Sequence, residues 1–177
     1  MNDAPSLFWT FSLAVYREPA VQRECLELQD RYGVDVNLLL FCAFIGAVRG
    51  AVMPDRAVRL AAELVADWHR NIVANLREAR RALKPLATES SPVAASAAAL
   101  RENVKEMELE AERIEQTMLE RWSAVHAGAW PRAEPAAAVA GNIRALFAIG
   151  KGAPQPPDLP ANLVAAALAV GRQSGAR

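Results

Sequence analysis

The amino-acid sequence predicts an all-α fold: a compact helical domain of about six or seven helices, two of them long and folded back as an antiparallel hairpin. Three observations carry this. Apolar residues recur at steps of three and four along most of the chain. Pro, Gly and Asp stand where helices should begin and end. One segment, Leu38 to Ile45, is apolar on every face and needs other helices around it.

The first helix is expected over about Ser6 to Tyr16, with Leu7, Phe8, Phe11, Ala14 and Val15 on one face and Trp9, Leu13 and Tyr16 widening it. Pro19 opens the second at the favoured first-turn position. Val21, Cys25, Leu28 and Tyr32 form its stripe, and Gly33 ends it in a left-handed cap. Asp35 is placed to cap the third helix, Val36 to Val48, the central pillar of the core. Gly46 and Gly50 there permit close approach or termination.

Pro54 and Asp55 begin a stretch running to about Lys84, with the seam Val58, Ala61, Val65, Trp68, Ile72, Leu76, Ala79 and Leu83; a break near Asp67–Trp68 is the alternative. After a polar linker (88–92), the next helix runs to about His126 with the seam Leu100, Val104, Met107, Ala111, Ile114, Met118, Trp122 and Val125. Such arms pack as a hairpin, each roughly 45 Å long at about 30 residues. The chain thus divides into a helical core with its hairpin (1–127) and a variable Ala/Pro-rich segment (128–177), with short helices near 136–149 and 161–170 and a loop at 150–157.

Composition narrows the function classes. Of the 177 residues 53% are hydrophobic, which excludes chain-wide disorder, although much of the excess is Ala. Lys plus Arg and Asp plus Glu both total 20, so the basic excess usual for gripping nucleic acid is missing. Cys25 and Cys42 are expected as reduced core thiols, with a disulfide as the alternative; two thiols without C-x-x-C do not build a zinc site. Met-Asn-Asp-Ala-Pro resembles no leader, and the longest apolar run, Leu38 to Val48, falls short of the roughly 20 residues that span a bilayer. A cytoplasmic protein without membrane contact is expected.

Two groups of residues invite a functional reading. Tyr16, Gln29, Asp30, Asp35 and Asn37 could surround a small-ligand pocket, with Asp30, Asp35 and Asn37 as oxygen donors that would suit Mg²⁺ or Ca²⁺, although the calcium-loop spacing is absent; the plainer reading makes them helix caps and turn partners. Arg70, Arg77, Arg80, Arg81 and Lys84 form a basic strip facing only Glu78, while seven glutamates between Glu102 and Glu120, Glu108 and Glu112 among them, face only Lys105 and Arg113. The strips either neutralise each other across the hairpin or leave a charged surface for a partner. His69 and His126 lie outside any E-x-x-H or H-E-x-x-H pattern and are expected at the surface or at helix ends. No catalytic residue, metal ligand or cofactor is assigned.

Trp9-Thr-Phe-Ser-Leu-Ala-Val-Tyr16, Cys25-Leu-Glu-Leu-Gln-Asp30 and Gly33-Val-Asp-Val-Asn-Leu-Leu-Leu-Phe-Cys42 resemble a family of small uncharacterised proteobacterial helical proteins. Arg77-Glu-Ala-Arg-Arg-Ala-Leu-Lys84 and Glu108-Leu-Glu-Ala-Glu-Arg-Ile-Glu-Gln116 resemble its later blocks. The resemblance implies a bacterial cytoplasmic protein and brings no activity or cofactor. The leading expectation is a non-catalytic adaptor or accessory subunit that binds a protein partner or itself. A small-ligand binder or enzyme at residues 29–37 and a nucleic-acid-associated protein using residues 70–84 are the alternatives.

Overall fold

The computed structural model describes residues 6–88, 92–150, 156 and 158–174. In chain order the helices are α1 (Leu7–Tyr16), α2 (Pro19–Tyr32), α3 (Val36–Arg49), α4 (Asp55–Trp68), α5 (Ala74–Leu83), α6 (Ala94–His126), α7 (Pro135–Ile149) and α8 (Ala161–Ser174). A π-helical turn, His69–Val73, joins α4 to α5 without a break, so the described residues form seven helical rods. No strand occurs among them beyond an isolated bridge between Ala51 and Arg132.

The boundaries follow the local chemistry. The Ser6 hydroxyl accepts from the backbone N–H of Trp9, and the Asp35 carboxylate from those of Asn37 and Leu38, filling orphan donors at the starts of α1 and α3. Gly33 and Gly50 close α2 and α3 at φ 65° and 56°, which a Cβ would disfavour. The expected loop 150–157, apart from Gly150 and Pro156, lies outside the described residues, as do residues 89–91 of the linker and the N-terminal Met-Asn-Asp-Ala-Pro.

α3 is the water-excluded pillar: every residue from Asn37 to Ala47 is buried. Phe8 and Phe11 of α1 meet Phe41 and Phe44 at ring separations of 5.2 to 5.5 Å. Burying each such side chain contributes about 1.5–3 kcal/mol. A Cβ on Gly46 would lie 2.5 Å from the Val139 backbone nitrogen, and one on Gly171 2.6 Å from the Ala47 carbonyl oxygen. Glycine at those points therefore lets α7 and α8 close on the pillar.

The core is continuous across residue 127: Val139, Ile143, Leu163 and Ala167 join the same apolar cluster as Phe8 and Leu39. Buried Asn142 of α7 accepts from the Met53 N–H and donates to the Cys42 and Ala51 carbonyls. The Glu24 carboxylate of α2 accepts from the N–H groups of Asn162 and Leu163, holding the start of α8. Cys25 and Cys42 are free and buried, and burial pushes both thiols up to about 12, far from reactive.

The hairpin forms, and Val58, Ala61, Val65 and Ala111 of the expected seams are buried, but most of the expected α6 seam is not. Leu100, Met107, Ile114 and Val125 are exposed, while Ala97, Glu108, Ala111, Glu115, Leu119 and Ser123 of α6 are buried. On the facing rod the π turn slips the helical phase by one residue, turning Ile72 outward and Val73 inward. Beyond the turn, α5 buries no residue completely, and charged side chains fill the space between the arms.

Candidate functional site: a charged seam and a cationic groove

The buried face of α6 carries Glu108, Ala111 and Glu115 at steps of three and four, so both carboxylates point into the hairpin. Arg77 of α5 donates from Nε to Glu108 at 3.0 Å and from Nη2 to Glu112 at 2.7 Å. Arg80 donates to the same Glu108. Desolvation works against ionising Glu108, but the hydrogen bonds from Arg80 and Arg77 outweigh it and hold its carboxyl below the usual range. Glu112, with one arginine and a like-charged neighbour, is raised instead, burial being the main cause.

Two turns nearer the core, His69 of the π turn meets Asp35 and Glu115. Its Nδ1 lies 3.1 Å from Asp35 Oδ2 and 3.3 Å from Glu115 Oε2. Trp68 steadies the turn by donating from Nε1 to the Ala111 carbonyl. The hydrogen bond to Glu115, together with the Asp35 charge, raises the imidazole above its ordinary value despite burial. Desolvation pushes the Glu115 carboxyl up to about 7, with the Asp35 charge adding to it. Glu115 is wholly buried, and its Oε1 has no hydrogen-bond partner.

Against this seam lies a groove of about 490 Å³ lined by Tyr16, Gln22, Leu26 and Gln29 from the first two helices, and by Arg77, Arg80, Arg81, Arg101, Lys105, Glu108, Leu109 and Glu112 from the hairpin. Five cations thus meet two carboxylates. Arg77 and Arg80 are held by those carboxylates, whereas Arg81 pairs with exposed Asp30, and Arg101 and Lys105 with exposed Glu102. Arg101 Nε is buried and has no partner. Burial pushes the Tyr16 phenol up to about 12, so it stays a hydrogen-bond donor at neutral pH. A smaller hollow of about 140 Å³ shares Tyr16, Gln29 and Arg77 and reaches Asn37 and Gln116.

The structure therefore divides the sequence-derived candidates. Tyr16 and Gln29 meet Arg77, Arg80, Arg81, Glu108 and Glu112 at the groove. Asp30 stands outside it, paired with Arg81 at 3.0 Å, and Arg70 pairs with Asp67 on the surface. Lys84 ends α5, where its backbone N–H bonds the Arg81 carbonyl. Asn37 does not close the first turn of α3 with its side chain; its Oδ1 accepts from Gln116 Nε2 at 2.9 Å. Asp35 is a cap through Oδ1 and faces His69 through Oδ2.

A family model described as "Protein of unknown function (DUF2390)" matches residues 7–119. The chain belongs to that family. The matched stretch contains the charged seam and every lining residue of the groove, while α7 and α8 fall beyond it. No curated protein and no solved structure matches the chain.

Sequence reasoning missed His69, Arg101 and Glu115. His69 does end α4, as expected of a helix-end histidine, but it is half-buried one helical turn after Val65 and lies between two carboxylates. A signal was present in α6, where Ala97, Arg101, Val104, Glu108, Ala111 and Glu115 repeat at threes and fours; counting apolar residues alone passes over a seam built of charges.

Proposed function

We propose that this protein is a non-catalytic binding protein whose groove between α2 and the hairpin holds a small polyanion bearing phosphate or several carboxylates. The observation that carries the reading is the meeting of five cationic side chains at one groove, with Arg101 Nε left unpartnered. Arg81, Arg101 and Lys105 face exposed carboxylates worth little as partners, so an incoming anion can displace them at small cost. Tyr16, Gln22 and Gln29 add neutral polar groups, and Leu26 and Leu109 an apolar wall. A nucleic-acid backbone is less well supported, because the chain carries no basic excess. No helix among the described residues is long and apolar enough to cross a membrane; the cytoplasm is part of the proposal.

Titration calorimetry with inorganic pyrophosphate and with citrate tests this. Saturable binding that weakens with salt, and falls about tenfold or more in Arg81→Gln/Arg101→Gln, is expected. Absence of saturable heat, or equal affinity in the double variant, contradicts it.

A second reading rests on the exposed stripe Leu100, Met107 and Ile114, which are 51%, 60% and 37% exposed. Spaced by sevens on α6, they fit self-association with a second copy, which the net charge of zero does not oppose. Sedimentation should then show a dimer in the micromolar range that Met107→Lys disperses; a wild-type monomer rejects it.

A further inference from the structure

Two carboxylates converge on one imidazole nitrogen in the seam around Glu115. Asp35 Oδ2 and Glu115 Oε2 approach the same ring nitrogen, His69 Nδ1, at 3.1 and 3.3 Å. One N–H can point at only one of them. The three ligand atoms all lie within 4.8 Å of one another, and they come from separate parts of the fold: the N-cap of α3, the π turn and the middle of α6. Two ligands at tetrahedral positions around a cation, each bonded at about 2.0–2.1 Å, stand about 3.3 Å apart. The distances at His69 match that spacing.

A second observation points the same way. Glu115 Oε1 is fully buried without a donor, although a bare buried acceptor costs about 1–3 kcal/mol. Charge leaves room as well. Arg77 and Arg80 pair with Glu108 and Glu112, so among the described residues Asp35 and Glu115 form ion pairs with His69 alone. One divalent cation would reach all three ligand atoms at once. Asp35 is pre-set for the task, because two backbone N–H groups hold its Oδ1 and leave Oδ2 toward His69. The buried Cys42 thiol also lies within electrostatic reach of Asp35.

We propose that Asp35, His69 and Glu115 bind one first-row divalent transition-metal cation, with Zn²⁺ the best fit. An imidazole nitrogen with two carboxylate oxygens suits such ions better than Ca²⁺ or Mg²⁺, which take oxygen alone. Three protein ligands leave coordination positions for water or a further donor. This site stands independently of the anion groove, since none of its three residues lines that groove.

The test uses the full chain, stripped with a chelator and titrated with Zn²⁺ against a fluorescent competitor. One equivalent should bind at neutral pH, and calorimetry in two buffers of different ionisation enthalpy should register about one to two protons released per ion. His69→Gln and Glu115→Gln should each weaken binding about a hundredfold or more, above what loss of an outer-shell partner costs. His126→Gln should leave it unchanged. Wild-type binding that is absent, or insensitive to both substitutions, overturns the proposal. If either variant does not fold, Co²⁺ added to the wild type decides: visible d–d bands without a thiolate charge-transfer band support the site. Silence in the visible, or a thiolate band implicating Cys42, rejects it.

Discussion

Replacing Glu115 by Gln keeps the shape of the side chain and removes its proton chemistry, so the pH dependence of stability should change in a calculable way. The folded chain holds this carboxyl at about 7 against an ordinary 4.5. At about 1.36 kcal/mol per tenfold in proton affinity, the folded state loses on the order of 3 kcal/mol relative to the unfolded chain as this proton is removed. Because the folded value is raised, that contribution is complete below about pH 4.5 and disappears as pH climbs through about 7. His69, also raised, acts in the same direction: its contribution is present below its ordinary 6.5 and lost as pH rises through the folded value. Glu108, held low, acts oppositely and only in acid, where its stabilisation is lost as pH falls. Urea unfolding of the metal-free protein, followed by circular dichroism between about pH 5 and pH 8, should therefore show stability falling with pH. In Glu115→Gln most of that fall should vanish, because the His69 shift, caused chiefly by its hydrogen bond to Glu115, goes with it; Glu112, also raised, leaves a remainder of the same sign. A wild-type curve that is flat or rising over this window, or an unchanged slope in the variant, refutes the reasoning.

Other substitutions probe the scaffold. Gly46→Ala should cost about 1–3 kcal/mol in urea unfolding, because its Cβ would meet the Val139 backbone at 2.5 Å. Phe41→Ala should cost about 3–5 kcal/mol, its ring being wholly buried between Phe8 and Trp122. Arg77→Met should cost about 3 kcal/mol, since Glu112 loses its arginine and Glu108 keeps only Arg80. Leu100→Gln, on the exposed face of α6, should change stability by no more than about 0.5 kcal/mol.

Much of the architecture was legible because its signals are local. Pro19, Gly33, Asp35 and Gly50 mark helix ends by backbone chemistry that needs no tertiary context, and each acts where expected. The apolar surround of α3 left it only one place, the centre. The hairpin seam was not legible, for two physical reasons. A π turn adds one residue to the helical phase, and no apolar periodicity announces it; hence Val73 is buried and Ile72 is not. The buried positions of α6 are also held by charge pairing, so Glu108 and Glu115 go inside while Leu100 and Met107 face outward. Tyr16 and Gln29 were legible as candidates beside the polar turn; Arg101 was not, because its place at the groove arises only once the hairpin is set opposite the first two helices. Asp35 was legible both as a cap and as an oxygen donor, but that its second oxygen meets His69 depends on the tertiary fold.

The arginine side-chain Nε–H signals in a ¹⁵N NMR spectrum, followed while pyrophosphate is added, test the anion groove most directly. The Arg101 signal, unpaired in the free protein, should move saturably toward a hydrogen-bonded position, while those of Arg77 and Arg80 stay close to their starting shifts. An Arg101 signal that moves no more than that of a remote exposed arginine such as Arg172 would contradict the account.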